Sequence, residues 1–279
     1  MCSLMSRREI LGLGAAVTGS LLVGSKLRAA AQAAPAGAAK GRVIVWSEGT
    51  ATKELDKDKK PIYPNDIRGA IADSLKRDLP GWEIVTATID DPDQGVPADG
   101  LAKTDVLMWW GHKLHGKITD ETVKRIVDRV KDGGMGFVAL HSSHFAKPYK
   151  ALMGILAGDK IPANKLCSWG AYAKDGSTVD VIVKLPDHPI AKGLKDFHLD
   201  RIERYGEPFG VPEPEAVPLD GVYTRKEGNK EPGRMGLCWT VGKGRVFYFT
   251  PGHEEFPDFF NPNVQIVMKN AAEWASQKK

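Results

Sequence analysis

The chain has 279 residues, with 39 basic against 35 acidic side chains and a formal net charge of +4. Arg7, Arg8, Lys26 and Arg28 fall near the N-terminus, and the rest of the chain is close to neutral, its basic and acidic residues interleaved along helices. No basic stripe is left to track a phosphate backbone, which excludes a nucleic-acid partner.

The opening segment "SRREILGLGAAVTGSLLVG" pairs two arginines with a Gly/Ala-rich apolar stretch, then runs into small residues around Ala31 to Ala34. This pattern is expected of a twin-arginine-type signal peptide over residues 1–34, which makes the protein periplasmic or otherwise exported. Its apolar part is shorter than the roughly 20 residues a spanning helix needs, so no stable membrane span is expected after cleavage. Residues 40–279 are long enough for one α/β domain and contain no low-complexity linker. Cys2 leaves with the signal. Cys167 and Cys238 lack metal-type spacing and are expected as separate buried thiols, with a disulfide in an oxidising compartment as the open alternative.

From residue 42 onward, apolar runs alternate with helix-period stretches: "RVIVW", "PNDIRGAIADSLKRDL", "WEIVTATI", "DVLMWW", "TDETVKRIVDRVKDGG" and "GFVALH". Val123, Ile126, Val127 and Val130 keep helical spacing behind the capping residues Thr119 and Asp120, and Gly133 with Gly134 stops that helix. Continuous apolar strands separated by helices predict a parallel, doubly wound sheet covered on both faces. The second half changes character. "TVDVIVKLP", "GVYTRK" and "MGLCWTVGKGRVFYFTPG" read as antiparallel strands, the GKG at 242–244 as a hairpin, and "NPNVQIVMKNAAEWA" as a closing helix capped by Asn261 and Pro262.

Ligands of open α/β sheets bind beyond the carboxyl ends of the parallel strands. Five of the seven histidines follow such strand ends: His112 and His115, His141 and His144, and His253. His188 and His198 stand in turn-like contexts and are read as surface or structural. Imidazole is the commonest ligand for zinc and also suits manganese, so the five together suggest a divalent metal site, with Glu203 or Glu207 as a carboxylate ligand or base. Neither HKLH nor HSSH has the spacing of a known metalloprotease motif. Trp109 is expected in the core. Trp110 points to the opposite face and, with Trp46, Trp169, Tyr205 and Phe145, can be read either as packing or as an apolar wall for a sugar ring. No Gly-rich phosphate loop follows a strand, so no nucleotide cofactor is expected. Ser142 and Ser143 lack the flanking glycines of a nucleophile elbow.

The segments "IYP" at 62–64, "DVLMWWGHKLH", "GFVALHSSHF" followed by "LMG", "HPIAKGL", "ERYGEPF" and "GKGRVFYFTPGHEEFP" followed by "NAAEWA" resemble the ThuA-like, trehalose-utilisation family. The resemblance covers essentially all of residues 40–279. It implies a flavodoxin-type, class I glutamine amidotransferase-like fold with added antiparallel strands in the C-terminal half. Where the amidotransferase parent carries its cysteine, this chain has Leu140-His141-Ser142, so thioester chemistry is not expected. The resemblance also implies a carbohydrate substrate, of trehalose or keto-disaccharide type, and a sugar oxidoreductase as pathway partner. His112, His141, His144, Glu203, Glu207 and His253 match the family's recurrent polar positions at the sheet rim.

The resulting expectation is a divalent ion, zinc, manganese or similar, held by His112, His141, His253 and Glu207, with Glu203, His144 or Glu254 moving a proton. Trp46, Trp110, His115, Tyr205 and Phe145 would contact substrate. Isomerase, lyase and hydrolase outcomes stay open at this stage, as does a homo-oligomer. The alternative is a non-catalytic carbohydrate-binding or accessory protein on the same fold.

Overall fold

The computed structural model describes residues 39–278, so residues 1–34, expected as a signal peptide, lie outside the described residues. In chain order the elements are β1 (Arg42–Ser47), α1 (Asp66–Asp78), β2 (Glu83–Thr88), α2 (Ala98–Ala102), β3 (Val106–Trp110), α3 (Asp120–Lys131), β4 (Gly136–Leu140) and α4 (Lys147–Ala157). They continue with β5 (Trp169–Ala173), β6 (Thr178–Val183), β7 (Phe197–Leu199), β8 (Arg204–Phe209), β9 (Ala216–Thr224), β10 (Lys230–Val241), β11 (Gly244–Phe249) and α5 (Pro262–Ser276).

Nine strands form one sheet in the order β2-β1-β3-β4-β11-β10-β9-β6-β7. The first five are parallel and the remainder antiparallel, which is the doubly wound sheet with an antiparallel extension. Every residue of β3 and β4 is buried, which explains why these strands read as unbroken apolar runs. Alternate residues serve opposite layers. Val106, Met108 and Trp110 pack with residues of α1 and α5, whereas Leu107 and Trp109 pack with residues of α3 and α4.

The local signals act as expected. The Thr119 hydroxyl accepts the Thr122 N–H at the start of α3, and Asn261 accepts the Asn263 N–H at the start of α5, just ahead of Pro262. Val241 pairs with Gly244 across the tight turn that joins β10 to β11, where Gly242 takes a φ of +59°. Cys167 and Cys238 are both free and buried.

Two tryptophans depart from the sugar-wall reading. Trp46 is 1% exposed, stacks on Trp109 with ring centroids 3.6 Å apart, and donates its indole N–H to the Gln94 carbonyl at 2.8 Å. Trp110 is fully buried on the other face and donates to the Gly252 carbonyl at 2.9 Å. Both belong to the core, because strand alternation sends each side chain into a helix layer before the strand reaches the rim. Trp110 keeps an indirect role, since its hydrogen bond holds the loop that carries His253.

The sequence reading did not anticipate β5 and β8, which pair with each other in a separate two-stranded antiparallel sheet. It also missed α2 and the short edge strand β7.

Removing half of the tryptophan stack should be costly. Trp109→Ala is expected to lower unfolding stability by about 3–5 kcal/mol, read from urea denaturation, and a loss below about 1 kcal/mol would contradict this account of the core. A second expectation concerns Asp258, which is 4% exposed with one carboxylate oxygen lacking a partner. Burial pushes its pKa from 3.8 up to about 7, against the opposing effects of His141 and the Gly252 N–H. The folded state then holds a proton that the unfolded chain releases, so this residue's contribution to stability falls as pH rises from about 4 to about 7. Asp258→Asn should therefore gain urea resistance relative to the parent protein across that window, and a pH-independent difference would refute the assignment.

Candidate metal centre

The strands β3, β4 and β11 lie side by side, so the segments leaving their carboxyl ends converge on one rim of the sheet. After β3, Gly111 donates its N–H to the Ser143 hydroxyl at 2.9 Å, and that hydroxyl donates to the Trp109 carbonyl at 2.9 Å. The next turn is fixed by Glu48, which follows β1. Its buried carboxylate accepts the Lys113 and Leu114 N–H groups at 2.7 and 2.8 Å. The loop bearing His112 is thereby clamped on both sides of that histidine.

After β4 the chain bends sharply at His141, whose φ is +52°. A non-glycine residue in this region costs of order 1–3 kcal/mol and persists only where its surroundings hold it. Here the ring Nδ1 is 2.8 Å from the Thr250 carbonyl, and the His141 carbonyl accepts the Tyr248 hydroxyl at 2.9 Å. After β11, Gly252 at φ +123° carries the chain past Phe259. A Cβ at that position would sit 2.6 Å from the Phe259 ring, so only glycine passes there to present His253.

Ligand atoms of His112, His141, Glu203 and His253 all lie within 4.8 Å of one another. The ring centroids of the three histidines are 4.9, 5.3 and 6.1 Å apart. Glu203, just ahead of β8, lies 3.0 Å from His141 Nε2 and 4.0 Å from His253 Nε2 through the same oxygen. A carbonyl can only accept, so the proton of a neutral His141 sits on Nδ1 and its Nε2 lone pair faces the Glu203 carboxylate. Two lone-pair atoms at 3.0 Å call for a positive charge between them, either a proton or a metal ion. Tyr205 donates to the same Glu203 oxygen at 3.0 Å, and Ser142 Oγ lies 3.0 Å from the Tyr205 hydroxyl and 2.5 Å from His112 Nδ1.

Burial alone would raise the Glu203 carboxyl, but the hydrogen bond and charge of His141, helped by His253 and Tyr205, hold it down to about 2. Burial lowers His253 to about 4, with His141 adding to the effect, and burial also lowers His112. The rim thus presents an ionised carboxylate beside imidazoles of which burial disfavours the charged form at His112 and His253, a donor set suited to zinc or manganese.

Several expected site residues stand elsewhere. Glu207 is not with the quartet. It makes a two-point ion pair with Arg234, at 2.8 and 2.9 Å, and accepts the Phe209 N–H, because β8 turns it toward β10. Glu203, expected to move a proton, occupies the carboxylate position instead. Glu254 is sealed behind the histidines and paired with Lys113 at 2.8 Å. Its other oxygen has no hydrogen-bond partner and lies 3.6 and 3.8 Å from Nδ1 of His253 and His112. That places it as a supporting carboxylate rather than a group in reach of substrate. His115 is half-buried against Phe145, its Nε2 sealed and unpaired, and burial lowers it to about 4. It packs behind the pocket and does not line it.

A cavity of about 260 Å³ opens beside the quartet. His112, Glu203, Ser142 and Tyr205 supply its polar lining, and His144, Phe145, Trp169 and Tyr172 its other side. His144 Nδ1 is 2.7 Å from the Cys167 carbonyl, which leaves Nε2 as the lone-pair nitrogen of a ring that burial lowers to about 3. Glu48, Ser142 and Tyr172 carry parts that the sequence did not reveal. Glu48 was visible at a strand end, but nothing in its neighbourhood announced a backbone clamp. Tyr172 had no signal.

Residues 42–275 match the ThuA family model, described as trehalose utilisation. A ThuA-like protein from Parabacteroides merdae ATCC 43184 superposes with a TM-score of 0.57 at 18% identity, covering 86% of this chain and 91% of its own. A cytoplasmic protein from Salmonella typhimurium LT2 superposes with a TM-score of 0.53 at 13% identity, covering 85% of this chain and all of its own. At these identities the likeness shows the fold. No curated protein matches the sequence. With the family model spanning nearly all of the described residues, the chain belongs to the ThuA, trehalose-utilisation family.

Proposed function

We propose that this protein binds a divalent cation through His112, His141, His253 and Glu203 and uses it in isomerase, lyase or hydrolase chemistry on a trehalose-type or keto-sugar disaccharide. The observation that carries this reading is the convergence of four ligand atoms from separate loops to within 4.8 Å. The facing pair of His141 Nε2 and the Glu203 carboxylate, 3.0 Å apart, calls for a positive charge between them, which a metal ion would supply. A family tied to trehalose utilisation supports carbohydrate as the substrate class.

When bound, such an ion acts as a Lewis acid toward adjacent sugar oxygens, polarising a carbonyl or acidifying a hydroxyl. The chain's own groups do the rest. Ser142 and Tyr205 hydroxyls stand in the polar lining, where they can hydrogen-bond sugar oxygens. His144, uncharged and with its Nε2 free, is placed to take a proton from a hydroxyl or from the carbon beside a carbonyl, and to return it on the far side of the reaction. Glu254, lying behind His112 and His253, would add its negative charge beside both rings. Export by the residue 1–34 leader, and work alongside a sugar oxidoreductase, belong to the same proposal.

Protein purified without a histidine tag should carry close to one equivalent of zinc or manganese by elemental analysis. His112→Ala and His253→Ala should lose it, whereas Glu207→Ala should keep it. A parent protein that neither carries nor takes up zinc, or alanine variants with undiminished metal, would defeat the assignment. In assays with trehalose and 3-keto-trehalose, His144→Ala should lower turnover by about 10²–10⁴-fold while retaining metal. Sugar binding that survives chelation, with no turnover by the parent protein, would favour the accessory reading instead.

A further inference from the structure

Tyr172 is an exposed aromatic with 76% of its surface accessible, on the mouth of the cavity beside the quartet. Large apolar side chains this exposed are few among the described residues: Leu55, Phe145, Ile155, Leu185 and Phe260 complete the set. Two of the six, Tyr172 and Phe145, line this one cavity.

Trp169 and Tyr172 are three residues apart, a spacing that sends side chains to opposite faces of a regular strand. The register of β5 against β8 shifts between Trp169 and Ala171, where Trp169 pairs with Phe209 but Ala171 pairs with Gly206. Two residues of β5 thus span three of β8, so the extra residue belongs to β8, and both aromatics of β5 line the same cavity. Their settings differ. Trp169 is half-buried and locked face to face on Phe209, with ring centroids 4.0 Å apart and planes 2° from parallel. Tyr172 stands free at the edge, opposite Tyr205 in the register.

Position gives the second argument. Tyr172 and Phe145 are the most exposed residues lining the cavity, while Ser142, His144, Glu203 and Tyr205 on it are buried. A disaccharide with one ring on the polar lining would carry its second ring over these exposed aromatics.

We infer that Tyr172, with Phe145, forms an outer subsite that receives the second unit of a glycoside, so the site takes disaccharides by a terminal ring and Tyr172 sets the preference for them over free monosaccharides. This rests on the carbohydrate reading above. The apolar C–H face of a pyranose stacks on an aromatic ring, and an exposed ring of this kind supplies affinity without touching the ligand-binding quartet.

Zinc-loaded protein titrated calorimetrically with trehalose and, separately, with glucose tests the inference. Tyr172→Ala should weaken trehalose binding by roughly 3- to 10-fold, leave glucose binding unchanged, and keep its zinc content, while Tyr172→Phe should bind trehalose as the parent does. Equal effects on both sugars, or no effect on trehalose, would overturn the outer subsite. If the parent protein binds neither sugar, the carbohydrate reading itself fails and the subsite with it, an outcome distinct from a parent that binds both with Tyr172 immaterial.

Discussion

The contact between the His141 ring and the Thr250 carbonyl, 2.8 Å long and wholly buried, is what the remainder of the site depends on. It joins the ends of two neighbouring parallel strands, β4 and β11, at the point where each leaves the sheet. It also selects which ring nitrogen faces the rim. Without that anchor, a residue at φ +52° would relax toward ordinary backbone and take the central imidazole with it. The strain at His141 is held by three contacts at once, since Tyr248 on β11 also grips its carbonyl and Glu203 meets its ring from the β8 side.

Around this anchor the charges are arranged in shells. Glu203 stands among the histidines, Glu254 behind them, and Lys113 behind Glu254, with its ammonium 2.8 Å from the carboxylate. Each buried charge has an opposite charge or a hydrogen-bond donor beside it, as burial requires. Glu48 extends the same logic to the backbone, spending its carboxylate on two N–H groups of the His112 loop. A rim assembled from three separate loops therefore holds its geometry through polar bonds made just outside the ligand atoms, where sequence spacing says nothing about them.

That division explains what could be read in advance. Strand order and helix caps follow from short-range rules, and the unbroken apolar runs of β3 and β4 announced a sheet covered on both faces. The placing of His112, His141 and His253 on one rim followed from topology alone, because parallel strands deliver their exits to the same edge. The carboxylate partner did not follow. Glu203 and Glu207 are four residues apart, and only the pairing of Glu207 with Arg234, 27 positions further along the chain, decides which of them is free to face the histidines. Trp46 and Trp110 misled for the reverse reason: a tryptophan near a strand end can belong equally to the packing or to the rim, and burial settled both as packing. Tyr172 stands on β5, a short strand paired only with β8, which no residue pattern announced.

The apex of the turn after β4 states the chemistry most economically. Where the amidotransferase parent implied by the resemblance would carry a cysteine, the turn holds the His141 imidazole. The two described thiols cannot substitute for it, since burial raises Cys167 to about 12 and Cys238 higher still, far above any pH at which a thiolate would form. A covalent thioester route therefore has no starting group at this rim. What the rim offers instead are lone pairs, on His141 and His144, with the His253 ring and one ionised carboxylate beside them. Groups of that kind bind a cation and move protons, and a hydroxyl-rich substrate with a carbonyl or acidic C–H is one on which both actions are useful at once.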